Sequence, residues 1–367
     1  MTTAGAVVVG GGIGGMSVAA ELAAAGVERP VLLEAEPELA RHTTGRSAAS
    51  YIPGHGAPAM RSLVAASRDR FDALAVEAGH PFLRPRPVLH VATTADEERL
   101  LREEILPLGP VEELDAAEAV RRWPALRPDV VRAAGWVAEA QDADPIGLHQ
   151  HYRRRFRAAG GTIRTGAPVV GMVSRGTGWR VSLPDDELDT GLVVLAAGAW
   201  TDRLLALAGA PPLDLQAYRR TIAIVRADVR PDDPFAVSVS DAWYAKPEGQ
   251  YLLVSPSEET PQEPGDARAD DLDVALALER VDAVTTLGLR SVVTSWAGQR
   301  TFAPDRTLVV GERAPGLAVV AGQGGSGIET APAAAALAAA VLLGRSVPDD
   351  LRRHGVEAAA YHPDRLL

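Results

Sequence analysis

The sequence predicts an α/β protein of two domains, one a parallel sheet wrapped by helices and the other richer in β-strand. Three observations carry this. A chain of 367 residues is too long for one simple core. A strand, a glycine turn and a helix open the chain at "VVVGGGIGGMSVAAELAAAG" (7–26), and the same pattern returns near its end at "VVAGQGGSGIETAPAAAALAAAV" (319–341). Between them lie proline-punctuated and strand-rich stretches of different character.

The elements follow in order. Residues 6–9 read as a short buried strand, 14–25 as a helix and 31–34 ("VLLE") as a second strand, a β-α-β unit. "RHTTGRSAASYIPGHG" is rich in small and polar residues and reads as a loop; 58–79 reads as a helix. "GHPFLRPRPVLHVA" marks the crossing into the second domain. Asp144-Pro145 supplies an N-cap and first turn for a helix running to Ala159, ended by Gly160-Gly161. Strands are expected at 162–165, 169–173, 179–183 and 192–195, and beyond "LAAGAWTDRLLALAG" at 220–228, 236–240 and 250–254. A helix near 270–287 and a strand near 290–296 come next. The acidic, proline-rich "SPSEETPQEPGDARADD" (255–271) reads as a solvated loop. His149 and His151, beside Arg153 to Arg155, read as an exposed helix without chemistry, since positions i and i+2 do not share a helix face. No tandem repeat is visible. The expected division is 1–82, 144–212 and 305–367 for one discontinuous domain, and 83–143 and 213–304 for the other.

Composition narrows the function. A net charge of −11 argues against a nucleic-acid partner, because phosphate binding needs a basic field. The absence of cysteine removes disulfides, thiolate metal sites, iron–sulfur clusters, cysteine nucleophiles and any cysteinyl tether to a cofactor. No metal site is expected. "MTTAGAVVV" lacks a basic leader region, and the apolar run from Ala333 to Gly344 is too short to span a bilayer, so a cytoplasmic location without an integral membrane segment is the expectation.

Gly10, Gly12 and Gly15 fit G-x-G-x-x-G, a weak pattern alone. Here a strand precedes it, a helix follows, and Glu34 closes the second strand about twenty residues on, which completes the dinucleotide fingerprint of a Rossmann-type domain. A pyrophosphate would rest on the helix N-terminus, and Glu34 would accept hydrogen bonds from a ribose diol. FAD is favoured over a nicotinamide coenzyme on two grounds. The chain runs after Glu34 into "HTTGRSAAS", not into a third parallel strand, and its small residues would let backbone pass close to a flat ring while Arg46 and Ser47 reach phosphate or ring oxygens. The second glycine turn would direct a helix dipole at the negative edge of a reduced flavin. Glu329, in the first turn of that helix, also reads simply as an acid complementing the dipole.

The pieces "VVVGGGIGG", "HTTGRSAASY", "LRPRP", "LAAGAW", "YRRT", "WYAKP", "SWAGQRTF", "GQGGSGIET" and "LRRHG" occur in one order along nearly the whole chain. In them the sequence resembles the FAD-dependent D-amino acid oxidase/dehydrogenase superfamily, which includes glycine oxidase-like proteins, and most closely D-arginine dehydrogenase-like proteins. The resemblance implies a D-amino acid oxidase-like architecture, with a Rossmann-type FAD domain, a sheet-rich substrate domain and the flavin, held non-covalently, at their junction. It implies oxidation of an amino acid at Cα by hydride transfer to flavin N5, with the imino acid hydrolysing after release and oxygen or a quinone re-oxidising the flavin. It places Gly10, Gly12, Ile13, Gly14, Gly15, Glu34, Ala35, Thr44, Gly45, Arg46, Ser47, Ala48, Val169, Gly198, Gly324, Gly325, Ser326, Gly327, Ile328 and Glu329 around FAD. Arg220, Tyr244 and Arg300 would hold the substrate carboxylate, with Gly325 beside them; a planar guanidinium fork suits that task on chemical grounds as well.

Three positions depart from the D-arginine dehydrogenase pattern. Ser50 stands where those proteins carry histidine, His55 where they carry tyrosine, and Val88 where they carry the glutamate that pairs with a cationic side chain. A buried guanidinium without that acid would cost several kcal/mol, so a small or hydrophobic D-amino acid is expected over D-arginine or D-lysine. His55 is a candidate to receive the ammonium proton or to touch the carboxylate. The alternatives are glycine, sarcosine or another N-substituted amino acid as substrate, a non-catalytic FAD subunit of an amine dehydrogenase complex, and an NAD-dependent dehydrogenase.

Overall fold

The computed structural model describes residues 2–367. Its centre is a six-stranded sheet in the order Thr162–Arg164, Val31–Leu33, Val7–Val9, Val193–Leu195, Leu317–Ala321, Val309–Ala314. Every neighbouring pair is parallel except the last, which is antiparallel. The sequences VVV, VLL, VVL and LAVVA are apolar at consecutive positions because both faces of this sheet are covered. Val8, Leu32, Val194 and Val320 point into a layer of helices: Ile13–Ala24, Pro58–Ala78, Pro145–Ala158 and Gly327–Leu342. Val7, Val9, Leu33, Val193 and Leu195 point the other way, onto Trp179, Val181 and Leu188 of a small meander. That meander joins Gly171–Arg175, Gly178–Ser182 and Glu187–Thr190, with Thr2–Ala4 pairing in parallel at its edge. Alanine dominates the last helix, so it lies close against both the first helix and the sheet; Ala333 to Ala340 are all buried.

A nine-stranded sheet forms the second layer system. Its path runs Thr260–Gln262, Gln216–Val225, Tyr251–Ser255, Tyr244–Glu248, Phe235–Ser238, Val88–Ala92, Ala133–Val137, Glu112–Asp115, and Val292–Phe302 pairs along the length of Gln216–Val225. One face carries Leu89, Val91, Trp136, Ala223, Val225, Leu252 and Val254 and is closed by the helices Ala116–Arg122 and Asp271–Val284. The other face carries Val88, Ile222, Ile224, Phe235, Tyr244 and Leu253, and against it pack Ala48 and Ile52 of the loop that follows the β-α-β unit. This face meets the glycine turns. A three-stranded ribbon of Ser50–Tyr51, Gln141–Ala143 and Leu83–Pro85 stitches the seam.

Several sequence expectations change. The strands Val88–Ala92, Glu112–Asp115, Ala133–Val137, Tyr244–Glu248 and Val309–Ala314 were not foreseen, because they are short or interrupted by proline, glycine and charge. The strand expected at 290–296 runs Val292–Phe302, with Gly298 to Thr301 lying on the cleft. Segment 255–271 is not simply solvated: Ser257 and Ala267 are buried, Thr260–Gln262 forms an edge strand, and Glu258 accepts a hydrogen bond from the Thr221 amide. His149 and His151 are buried, not exposed. Their helix is wedged against Ile13–Ala24, so both flanks of its inner face are covered; His149 Nε2 donates to Gly11 O at 2.9 Å, and His151 lies beside Phe82 and Glu77. No helix of the described residues is long and apolar enough to cross a membrane.

Leu337 is wholly buried between the last helix and the sheet. Leu337→Ala is expected to lower unfolding free energy by about 2–5 kcal/mol, read as a lower urea midpoint with coenzyme concentration held constant.

Candidate functional site

A cleft of about 450 Å³ opens at the C-terminal ends of the parallel strands, where the chain leaves Val9, Leu33 and Leu195. It begins at Glu34, passes the glycine turn 10–14, skirts Ala167 to Val169 and Ala196 to Trp200, and reaches the second glycine turn at 323–328. Its far end is walled by Arg220, Ile222, Tyr244 and Arg300 of the large sheet.

The first turn is built by close approach. A Cβ on Gly10 would stand 2.4 Å from Ala196 O, and one on Gly15 only 1.9 Å from Gly10 O, so neither position tolerates a side chain. Gly15 therefore serves helix–strand packing and does not line the cleft. Glu34 is locked at the rim: one carboxylate oxygen accepts from Gly11 N at 2.6 Å and the other from Glu36 N at 2.9 Å. Thr44 Oγ1 accepts from Ile13 N at 3.0 Å and so tethers the following loop to the first helix. Gln323 reaches across to Gly14, where a Cβ would lie 2.8 Å from its amide nitrogen, so the two glycine turns face one another. Gly12 and Ser326 begin their helices without a side-chain cap of their own, so apart from Ile13 N, which Thr44 takes, the first-turn amides at these two turns are left for a ligand. A long cleft with an acid at one end, two amide-lined turns and apolar walls fits a dinucleotide flavin.

The far end is polar and unsatisfied. Arg220 is 3 % exposed, yet none of its three guanidinium nitrogens has a hydrogen-bond partner. The buried Tyr244 hydroxyl and Ser50 Oγ are likewise unpartnered. Glu259 Oε1 stands 3.6 Å from Arg220 Nη2, an ion pair without a hydrogen bond, and pairs also with Arg306. Burial, and then the neighbouring Arg300 charge, push the Arg220 pKa down. The strand register sets Tyr218 opposite Arg300 and Arg220 opposite Gly298, so the two arginines are diagonal neighbours on one face. Arg300 in turn lies over Gly325, where a Cβ would be 3.1 Å from its Nη1. The arrangement presents two cations and a phenol to a ligand entering from the glycine turn.

Of the residues expected around FAD, Gly10, Gly12, Ile13, Gly14, Glu34, Ala35, Thr44, Arg46, Ser47, Ala48, Val169, Gly198, Gly324, Gly325, Gly327 and Ile328 line the cleft. Gly15, Gly45, Ser326 and Glu329 do not. Gly45 is a turn position, its missing Cβ 2.4 Å from Ala40 O. The Arg46 guanidinium is not free to meet a phosphate: it donates to Ala267 O and Ala297 O at 2.9 Å each and pairs with Asp266, pinning segment 255–271 to the cleft. Glu329 is buried, with one oxygen accepting from Ile52 N at 3.0 Å and the other 2.5 Å from His55 Nδ1. Val88 is wholly buried in an apolar cluster with Tyr244, Phe235 and Ile222, of which Ile222 and Tyr244 line the cleft while Val88 and Phe235 lie behind them. Sequence reasoning missed Glu259, Gln323 and His90. The last shares the Val88 face of its strand, being two residues on; burial, then His55, pushes its pKa down to about 4.

A family model described as FAD dependent oxidoreductase (DAO) matches residues 6–341. The chain belongs to that family. It is an FAD-dependent oxidoreductase, and the resemblance read from its motifs is borne out at that level. L-proline dehydrogenase from P. horikoshii is similar in fold, with a TM-score of 0.86, 20% identity, and 99% of this chain and 98% of that one covered. Glycine oxidase from Geobacillus kaustophilus gives a TM-score of 0.83 at 22% identity, covering 97% and 99%. Dithionite-reduced L-α-glycerophosphate oxidase from Mycoplasma pneumoniae with FAD bound gives 0.79 at 18%, covering 94% and 95%. The α/β fold with a flavin domain and a sheet-rich domain is thus that of the family.

His90 gives a pH test. Its folded pKa, about 4, lies below its ordinary value of 6.5, so between those values the unfolded chain binds a proton that the folded chain refuses. Stability therefore falls as pH drops through that window. His90→Asn is expected to flatten the fall, measured as unfolding free energy against pH.

Proposed function

We propose that this oxidoreductase oxidises the Cα–N bond of an amino acid to the imino acid, and that the substrate is a D-amino acid with a small or hydrophobic side chain. The observation that carries the reading is the buried Arg220 guanidinium, without a hydrogen-bond partner, at the end of the flavin cleft. A guanidinium there stays charged and needs an anion. A substrate carboxylate supplies one, held by Arg220 and Arg300 with a hydrogen bond from the Tyr244 hydroxyl, in the space that Glu259 approaches to 3.6 Å. Ile222 and Tyr244 face the space for the side chain, backed by the buried Val88 and Phe235, and no acid stands at position 88 to meet a cation. FAD, when bound, supplies the two-electron acceptor for the Cα hydride. The protein's part is to fix the carboxylate so that Cα faces the ring, and to exclude water behind it with the apolar wall.

In this reading Gly10, Gly12, Ile13, Gly14, Glu34, Ala35, Thr44, Ser47, Ala48, Val169, Gly198, Gly324, Gly325, Gly327 and Ile328 hold FAD non-covalently, and Ser50, His55 and Val88 surround the substrate. The segments 1–82, 144–212 and 305–367 act as the coenzyme domain and 83–143 with 213–304 as the substrate domain; the membership of the two large sheets supports that division. Oxygen or a quinone takes the electrons on. A second reading, oxidation of glycine, sarcosine or another N-substituted amino acid, draws support from the fold neighbours named for glycine and L-proline.

Anaerobic mixing with a panel of D- and L-amino acids, glycine, sarcosine and proline tests the proposal. Bleaching of the flavin is expected fastest with hydrophobic D-amino acids and poorest with D-arginine and D-lysine; the opposite order overturns it. Arg220→Met is expected to lower kcat/KM at least a hundredfold, while the ligand-free protein melts at the same or a higher temperature, because an unpaired buried charge has been removed.

A further inference from the structure

Glu329 stands in the first turn of its helix, where an acid complements the dipole, but it does not line the flavin cleft. It is 2 % exposed in the first turn of Gly327–Leu342, and both carboxylate oxygens are committed to the loop that carries His55. The imidazole is 44% exposed while its acid partner is only 3% exposed, so the pair has one sealed and one accessible end. Since Nδ1 is taken by Glu329, with Ser326 Oγ 3.4 Å away, Nε2 is the nitrogen left to act. The pair lies next to the carboxylate clamp: Gly325 precedes Ser326 and lies under the Arg300 guanidinium, and Ile52 packs on the wall that contains Tyr244 and Val88.

Resting on the amino acid reading above, we propose that Glu329 is a positioning residue that holds His55 with Nδ1–H toward its carboxylate, so that Nε2 accepts the proton of the substrate ammonium group. The chemistry requires such an acceptor. A protonated nitrogen has no lone pair with which to form C=N as the Cα–H bond breaks. The N–H bond breaks with its electrons staying on nitrogen, and the proton goes to His55 Nε2. The Cα–H pair then leaves as hydride to bound FAD, the nitrogen lone pair forms the C=N bond, and the protonated imino acid departs. One hydride and one proton leave the substrate, and each has a named destination. The division of labour is that of a carboxylate fixing the tautomer and orientation of an imidazole base.

The groups facing His55 come from four elements. Glu329 on its helix raises the imidazole pKa most, burial opposes it, Arg300 from Val292–Phe302 lowers it, and Asp241 beyond Phe235–Ser238 raises it; the net direction is upward. His90 from Val88–Ala92 also feels the ring. A base must be neutral to act, so kcat/KM should rise with pH through the His55 titration, above the ordinary histidine value.

Two measurements on the FAD-loaded enzyme test this: the His55 titration by NMR, and the pH dependence of kcat/KM for anaerobic flavin reduction. Glu329→Gln is expected to move both to lower pH by the same amount, about one unit or more, with FAD content unchanged. His55→Ala is expected to slow reduction about a hundredfold or more and to be rescued by added imidazoles in order of their basicity, a response that a structural role would not produce. Should Glu329→Gln fail to hold FAD, the rescue experiment alone decides. A His55 titration that moves while the kinetic limb stays, a titration indifferent to Glu329, or the absence of rescue each overturns the proposal while amino acids still bleach the flavin. If no amino acid bleaches it, the underlying reading fails first and takes this one with it.

Discussion

Arg220 carries a charge that cannot be titrated away at any ordinary pH, in a place where almost no water reaches it. Such a group is tolerated only if the surrounding structure is rigid enough to keep it there without collapse. The rigidity comes from Gln216–Val225, a central strand flanked by Val292–Phe302 on one side and Tyr251–Ser255 with Thr260–Gln262 on the other. Placing Arg300 diagonally from Arg220 adds like-charge repulsion that the fold must also absorb. Two close cations without hydrogen-bonded counter-ions lower the stability of the empty site and raise its affinity for an anion. This is the opposition between stability and function expected of a binding site.

That charged end would be useless without an equally fixed partner surface, and packing provides it. The contacts of Gly10 and Gly15 bring the first helix hard against the parallel sheet, and the alanine-rich last helix packs beside it, so both helix N-termini open on one cleft. Alanine and glycine contribute little burial each, but they set backbone distances that larger residues would forbid. Thr43 Oγ1 to Gln299 O at 2.7 Å and Trp296 Nε1 to Arg46 O at 3.0 Å then tie the loop of the parallel-sheet region to the strand bearing Arg300. The two halves of the cleft are thereby held in register.

The parallel core was legible because buried strands of three or four apolar residues next to glycine turns have few other readings. The helices Pro58–Ala78 and Pro145–Ala158 were legible from periodicity and an Asp-Pro cap. The large sheet was only half legible. Its strands Val88–Ala92 and Tyr244–Glu248 pair with partners far away in sequence, and the propriety of "WYAKP" as a strand depends on those partners. Within the site, residue types were readable but their engagements were not. Arg46 and a phosphate-binding arginine look identical in sequence; what separates them is the position of Asp266 and two carbonyl oxygens from distant segments. Glu329 and His55 are 274 positions apart, and no local pattern announces their contact. His149 was misread for the same reason, since the carbonyl it serves belongs to the first glycine turn.

Glu259 bears on side-chain selectivity in a way that the sequence alone could not suggest. Valine at position 88 offers no counter-charge to a cationic substrate, so an acid elsewhere near the cleft would have to supply one. Glu259 approaches the site at Arg220 and stands between it and Arg306. Arg306, whose guanidinium lies over the ring of Phe302, holds Glu259 in addition. An acid already matched by one arginine and adjacent to a second gains little by turning to a third cation. On the amino acid reading proposed above, the charge at this end of the cleft serves one anion and the remaining space is left to apolar contact.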